Sequence, residues 1–219
     1  MHSTINAMKI IKNLLVVSAL VSSGVSAHAQ FALKTNLVGW ATTTTNLGIE
    51  VGMGEKSSLQ IMGYLNPWNF KNDRHFHFWT VQPEYRYWFC QKFNGWFLGI
   101  HALGGEYNAK KLNFPLKALT WGKNYYENPD FAASDHTTGW PDIQGANSGR
   151  HVEGWDVGGG ISAGYQWVLD RHWNLEASLG VGYVYTKLRY IGRCQQTIDK
   201  RHINYVGPTN AQVSFLYFF

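Results

Sequence analysis

Between His77 and Phe89 the chain alternates with a strict period: Trp79, Val81, Tyr85, Tyr87 and Phe89 share one parity, Thr80, Gln82, Glu84 and Arg86 the other. Only a two-residue repeat separates the sets this way, so the segment reads as an extended strand with one apolar and one polar face. The same grammar returns in Ala211-Gln212-Val213-Ser214-Phe215-Leu216-Tyr217-Phe218-Phe219, where it stops on an aromatic residue. A strand of this kind suits a barrel whose last strand pairs with its first, leaving no sheet edge exposed to lipid.

Eight such strands are predicted, at 31–40, 46–53, 59–65, 77–89, 96–106, 155–169 and 173–185, with the eighth closing the ring. The connections are short on one side (Gly54-Glu55-Lys56-Ser57, Gln91-Lys92-Phe93-Asn94-Gly95, Asp170-Arg171-His172) and long on the other. That asymmetry predicts an all-β, antiparallel, up-and-down transmembrane barrel with short periplasmic turns and long extracellular loops. Pro83 falls in the apolar set and cannot donate to a ladder, so a bulge or a locally open pair is expected there.

Residues before Gln30 read as a cleaved leader: Lys9 and Lys12, an apolar run through Leu14-Leu15-Val16-Val17 to Val25, then Ala27-His28-Ala29. Residues 30–219 then form one barrel domain, and the expected address is a Gram-negative outer membrane. The whole chain's +5 falls to +3 once the two leader lysines are removed, which argues against a nucleic-acid partner. Cys90 and Cys194 fall at opposite ends of the predicted barrel, too far apart for a disulfide, and are expected as free thiols.

Aromatics cluster at strand ends. Trp88, Phe89, Trp96, Trp167, Trp173, Phe218 and Phe219 flank the short turns, and Trp40, Trp68, Trp79 and Tyr185 the opposite side, as two interfacial girdles would. With the aromatic set facing lipid, the small and charged set must face inward. Glycines such as Gly158-Gly159-Gly160, Gly180 and Gly182 suit the crowded interior of eight strands; no strand-then-helix context supports phosphate binding by them.

At Phe31-Ala32-Leu33-Lys34-Thr35-Asn36-Leu37, Asn46-Leu47-Gly48-Ile49-Glu50-Val51, Asn66-Pro67-Trp68, Val81-Gln82-Pro83-Glu84-Tyr85-Arg86-Tyr87-Trp88, Gly164-Tyr165-Gln166-Trp167 and Trp173-Asn174-Leu175-Glu176, the chain resembles the domain-of-unknown-function family "thirty-five seventy-five". Tyr205-Val206-Gly207-Pro208-Thr209, placed just before the last strand, matches as well. The resemblance spans most of 31–219 and implies a small outer-membrane barrel of gut or oral anaerobes, with a link to fimbriae or adhesion. It transfers no catalytic residue. The segment 110–153 departs from the family pattern, being longer.

Lys34, Glu50, Glu84, Arg86 and Glu176 all fall on the inward parity, and His101 points the same way. Charges in a narrow interior are costly unless paired, so an internal ion-pair and hydrogen-bond network is expected, acting as a structural plug. His75 and His77 have a spacing two metal ligands could use, but no third ligand is placed, and neither metal nor cofactor is expected. Ser148, His151 and Glu153 lie close in sequence, with Ser134, Asp135 and His136 a weaker set; some outer-membrane barrels that modify lipid A use a serine and a histidine. A triad is identified by geometry rather than by proximity in sequence.

The long extracellular loop at 110–153 is unusually aromatic. Its Trp121, Tyr125, Tyr126, Phe131 and Trp140 are the candidate binding residues, for a fimbrial or other surface protein or a glycan, beside the lipid and lipopolysaccharide around the barrel. The first functional expectation is therefore a non-enzymatic outer-membrane barrel with a surface-binding or structural role. A lipid A modifying enzyme and a narrow pore are the alternatives.

Overall fold

In the computed structural model the described residues are 30–70, 74–110, 125–126, 151–191 and 197–219. The period-two alternation becomes strands β1 (Phe31–Asn36), β2 (Thr45–Gly52), β3 (Ser57–Asn66), β4 (Asn69–Phe70), β5 (Arg74–Trp88), β6 (Gly95–Lys110), β7 (Tyr125–Tyr126), β8 (His151–Val168), β9 (Trp173–Ile191) and β10 (Thr197–Phe218). Eight of them run antiparallel in the order β1-β2-β3-β5-β6-β8-β9-β10, and β10 pairs back onto β1. Closure is in register from Ala32 opposite Phe218 to Asn36 opposite Ser214. The two-residue strands are additions at the rim: β4 pairs with β5 and β7 with β10.

Two features depart from the expected strands. The first strand does not run to residue 40; it stops at Asn36, and Leu37–Ala41 form a short helix, α1. Asn36 causes the break, because its side chain accepts from the Val38 backbone N–H at 3.1 Å and caps the turn. Trp40 then folds back so that its indole N–H donates to Thr35 Oγ1 at 2.7 Å. Second, Tyr205–Thr209 does not precede the last strand but lies inside it. β10 is 22 residues long and carries an irregularity between Pro208 and Asn210. The extra residue reverses parity, so Ile203, before 209 in the chain, and Asn210, after it, are both buried in the same interior.

Pro83 behaves as expected. β5 and β6 pair at Val81 opposite Gly104 and again at Glu84 opposite His101, leaving the pair open at Gln82 and Pro83. The register is the same on both sides, so no bulge is needed.

Inside and outside are inverted relative to a water-soluble barrel. Lys34, Glu50, Gln60, Glu84, Arg86 and Glu176 are buried, while Leu47 (62% exposed), Ile100 (67%), Ile161 (64%) and Leu179 (71%) lie on the outer face. Most of the terminal aromatics are outside too, including Trp40, Trp79, Phe89, Trp96, Trp167 and Trp173. Trp88 is a correction: it is fully buried, and Phe218 packs against the same cluster. Trp88 shares the parity of Glu84 and Arg86, so its position in the alternation, not its nearness to a turn, decides its face.

Trp88, Phe93 and Phe97 close the short-turn end of the lumen, with the Phe93 and Phe218 ring centroids 4.9 Å apart. Phe93 enters this plug from a turn in which its φ is 63°, a left-handed conformation that costs about 1–2 kcal/mol for an L-residue. Ring packing and a 3.0 Å bond from Asn174 Nδ2 to the Phe93 carbonyl hold it there. At the other end the rim is uneven. β1 to β3 are 6, 8 and 10 residues long, whereas β5, β6, β8, β9 and β10 run to 15, 16, 18, 19 and 22. α1 sits at the low side of this wall.

Candidate functional site: a charged lumen under an open mouth

Inward parity on four strands delivers the five predicted charges to one level of the lumen. Arg86 of β5 is the hub. Its Nη1 donates to Glu50 Oε2 at 3.0 Å and Glu176 Oε2 at 2.8 Å, its Nη2 to Glu176 Oε1 at 3.1 Å, and its Nε to Glu84 Oε1 at 3.1 Å. Lys34 Nζ donates to Glu176 Oε1 at 2.5 Å and Gln60 Oε1 at 2.6 Å. All five charged side chains are wholly shielded from solvent.

The remaining acceptor capacity is taken up by neutral donors. Ser58 Oγ donates to Glu50 Oε1 and Ser162 Oγ to Glu84 Oε1, both at 2.7 Å. Asn210 Nδ2 reaches Glu84 Oε2 at 3.3 Å. The Trp88 indole N–H donates to Ser58 Oγ at 2.9 Å, linking the charged layer to the aromatic plug below. Phe97 covers the Arg86 guanidinium, 4.4 Å from its ring centroid.

Three carboxylates and two cations meet here, a formal excess of one negative charge. An arrangement this shielded and this fully bonded ties strands together; it presents no free group to a substrate. Gln60, Ser58, Ser162, Asn210 and Trp88 belong to it, although the expected members were Lys34, Glu50, Glu84, Arg86, Glu176 and His101. Their signal was present in the sequence as parity, without a charge to draw attention to it.

His101 points inward as predicted, but its bond is to Thr209: Nε2 and Thr209 Oγ1 are 2.7 Å apart, and Nδ1 has no partner. It marks the change from the charged layer to a neutral one. Above it Tyr64 Oη accepts from Gln212 Nε2 at 3.3 Å and Asn36 Nδ2 at 3.5 Å. Asn46 Oδ1 accepts from the Asn36 backbone N–H at 2.6 Å, and its Nδ2 donates to the Asn36 and Thr44 carbonyls. Gly39 of α1 approaches Asn46 so closely that a Cβ there would collide with its side-chain amide. These contacts hold α1 against the mouth.

Over this layer opens a cavity of about 400 Å³, with Gln82 and Asn210 low in it and Phe78, Asp156, Tyr205 and α1 around it. Such a volume falls in the range of small-ligand sites. Higher still, Val152, Leu188 and Ile203 form a small apolar cluster with Tyr107 packed against it.

Trp121, Phe131, Trp140, Ser148, Ser134, Asp135, His136 and Cys194 lie outside the described residues, as do the side chains of Tyr125, Tyr126, His75 and His151. The Tyr125 and Tyr126 backbone pairs with His202 and Arg201. Glu153 Oε1 accepts from Asn108 Nδ2 at 3.2 Å, and its Oε2 lies 3.9 Å from Arg189. His77 Nε2 is 3.0 Å from Asn69 Oδ1. Cys90 is a free, exposed thiol in the turn after β5. No cluster of potential metal ligands occurs among the described residues.

Comparison with curated proteins finds no match to this chain. A family model does match, over residues 13–219, and covers the whole ring of strands and the lumen residues described above. The chain belongs to the family described as Protein of unknown function (DUF3575).

Proposed function

We propose that this protein is a non-enzymatic outer-membrane β-barrel, exported by its leader, whose charged lumen is a structural plug and whose outer end binds a component of the cell surface. The observation that carries the reading is the inverted polarity of a closed ring: paired charges inside, and a continuous outer face bearing Leu47, Ile100, Ile161 and Leu179. A ring of strands has no unpaired edge, and an apolar exterior is stable where lipid replaces water. A spanning strand needs about 9–11 residues, so the longer walls of β5 to β10 would project past the bilayer and frame the mouth. The lower lumen, filled by Trp88, Phe97 and the Arg86 cluster, supports a plug rather than a conducting path.

The test is folding of the leaderless chain with and without detergent. Folding into lauryldimethylamine oxide micelles, with faster electrophoretic migration before boiling than after, is the expected outcome. A folded monomer in detergent-free buffer would overturn the membrane assignment. For the surface role, crosslinking pull-downs from intact outer membranes should lose a specific partner when 121–140 is replaced by a short linker. An unchanged partner list would move binding away from that loop.

A further inference from the structure

The outer wall of the barrel is not uniform around its upper end. Strand pairing lines up one row as Trp79, Glu106, Trp155, Lys187 and His202, and the next row up as His77, Asn108, Glu153, Arg189 and Lys200. Both rows share the parity of the exposed Val81, Ile100, Val157, Val181 and Val206, so they face away from the lumen. In these rows the carboxylates lie on β6 and β8, and lysine and arginine on β9 and β10. The basic residues form a block, with Lys187 directly opposite His202 and Arg189 directly opposite Lys200.

Side chains directly opposite on neighbouring strands start about 4.5–5.5 Å apart at Cβ, where like charges repel unless an anion lies between them. The acids nearby do not fill that role. Glu106 is two strands from Lys187, about 10 Å at the usual strand spacing, and accepts from the Trp79 indole at 3.4 Å. Glu153 reaches only Arg189 within the block, at 3.9 Å. Among the described residues Lys187 and Lys200 have neither a hydrogen bond nor an ion pair.

Height identifies the kind of anion that fits. Up β9 the outward residues are Leu179, Val181, Tyr183, Tyr185, Lys187 and Arg189: aliphatic, then aromatic, then basic. The Tyr185 ring centroid lies 5.7 Å from Trp155 and 5.9 Å from His202. Aromatic residues mark the headgroup level of a bilayer, and each further outward residue lies about 7 Å along the strand. Lys187 and Arg189 therefore stand where lipid phosphates lie, with stems long enough to lean along the wall and bring their charges to that level. The block also faces sideways, into the leaflet, where a lipid meets it. Arginine's fork matches phosphate oxygens, and lysine adds point charges.

We infer that β9 and β10 carry a lateral binding site for the phosphate of an outer-leaflet lipid, formed by Lys187, Arg189 and Lys200 beside His202. The inference rests on the proposed outer-membrane reading and names one lipid contact within it.

The experiment uses the full mature chain folded in lauryldimethylamine oxide, with native mass spectrometry of the bound lipid. The probes are diphosphoryl lipid A and its dephosphorylated form, which share acyl chains and differ in phosphate. The diphosphoryl form is expected to bind more tightly. Lys187→Gln with Lys200→Gln should weaken it by about fivefold per lysine, whereas Lys56→Gln with Lys92→Gln, which removes the same charge at the short-turn end, should leave it unchanged. In the unmodified chain, acetylation of Lys187 and Lys200 should be slower in phosphatidylcholine vesicles containing diphosphoryl lipid A than in phosphatidylcholine alone, a reading that needs no variant to fold. A folded barrel that binds both forms equally overturns the phosphate site, leaves the membrane assignment standing and points the block at an acidic protein. Equal losses in the two double variants, or equal acetylation in the two kinds of vesicle, also overturn it. A chain that folds only in detergent-free buffer overturns the membrane assignment and this site with it.

Discussion

The lower and upper halves of the lumen are made by the same strands with the same alternation, yet one is filled and the other open. In the lower half Arg86 and Lys34 are matched against Glu50, Glu84 and Glu176, with serines, Gln60 and an indole completing the bonds. In the upper half neutral amides take over and a cavity of about 400 Å³ remains. The difference shows that inward parity alone does not make a core. Long charged side chains reach across eight strands and meet, while shorter amides and threonines stop at the wall.

The sharpest way to break this comparison is to remove the hub. Arg86→Met leaves Glu50, Glu84 and Glu176 with Lys34 as their single cation, and should cost about 3–5 kcal/mol in urea unfolding of the micelle-folded protein. Trp88→Ala opens a void at the plug and removes the donor to Ser58 Oγ; a loss of about 3–5 kcal/mol is expected by the same measurement. Comparable effects from both would show that the lower half is one unit. A negligible effect of Arg86→Met would show that the cluster is not what holds the strands.

On the outside, Leu179→Arg places a charge on the broad apolar face and should cost about 2–4 kcal/mol if that face meets lipid tails. No change in stability in lipid vesicles would count against embedding. Within the cluster, Glu84→Gln removes the surplus negative charge and keeps the Arg86 and Ser162 bonds at Oε1 while losing those from Gln60 and Asn210 at Oε2, so its cost should be about 1–3 kcal/mol and below that of Arg86→Met. The reverse order would mean that the excess charge is balanced from elsewhere. The smallest effect belongs to the upper half: Gln82→Leu removes an atom that has no partner and should leave stability within about 0.5 kcal/mol or raise it. A large loss there would erase the distinction between the two halves.

Much of the barrel was legible residue by residue. The parity of Glu84, Arg86, Glu50 and Glu176 placed them inside, and the short turns placed the strand ends within a few residues. Trp88 was misread because nearness to a turn was weighed above its place in the alternation. α1 was missed because Leu37 continues the apolar pattern of Phe31 and Leu33, while the decisive signal was a single capping side chain, Asn36. The parity change in β10 was hidden for a related reason. Pro208 announces an interruption, but only the pairing with Val181 and Gly180 shows which residue is extra. Of the candidate site, the charged members were legible, whereas neutral ones such as Gln60 and Gln82 were legible only as inward parity, since an amide on a strand does not announce its partners until its neighbours across the lumen are known.

By itself, then, the order of residues determined which side chains face each way, because a strand's two-residue period is a local property of the backbone. Only the closed ring decided which inward residues meet. Lys34 and Glu176 are 142 positions apart and bond because eight strands close at one stagger; Gln82 and Asn210 come to the same cavity for the same reason. Distance along the chain carries no record of such meetings. They arise from strand number, tilt and closure together, which are properties of the whole sheet and of no single segment.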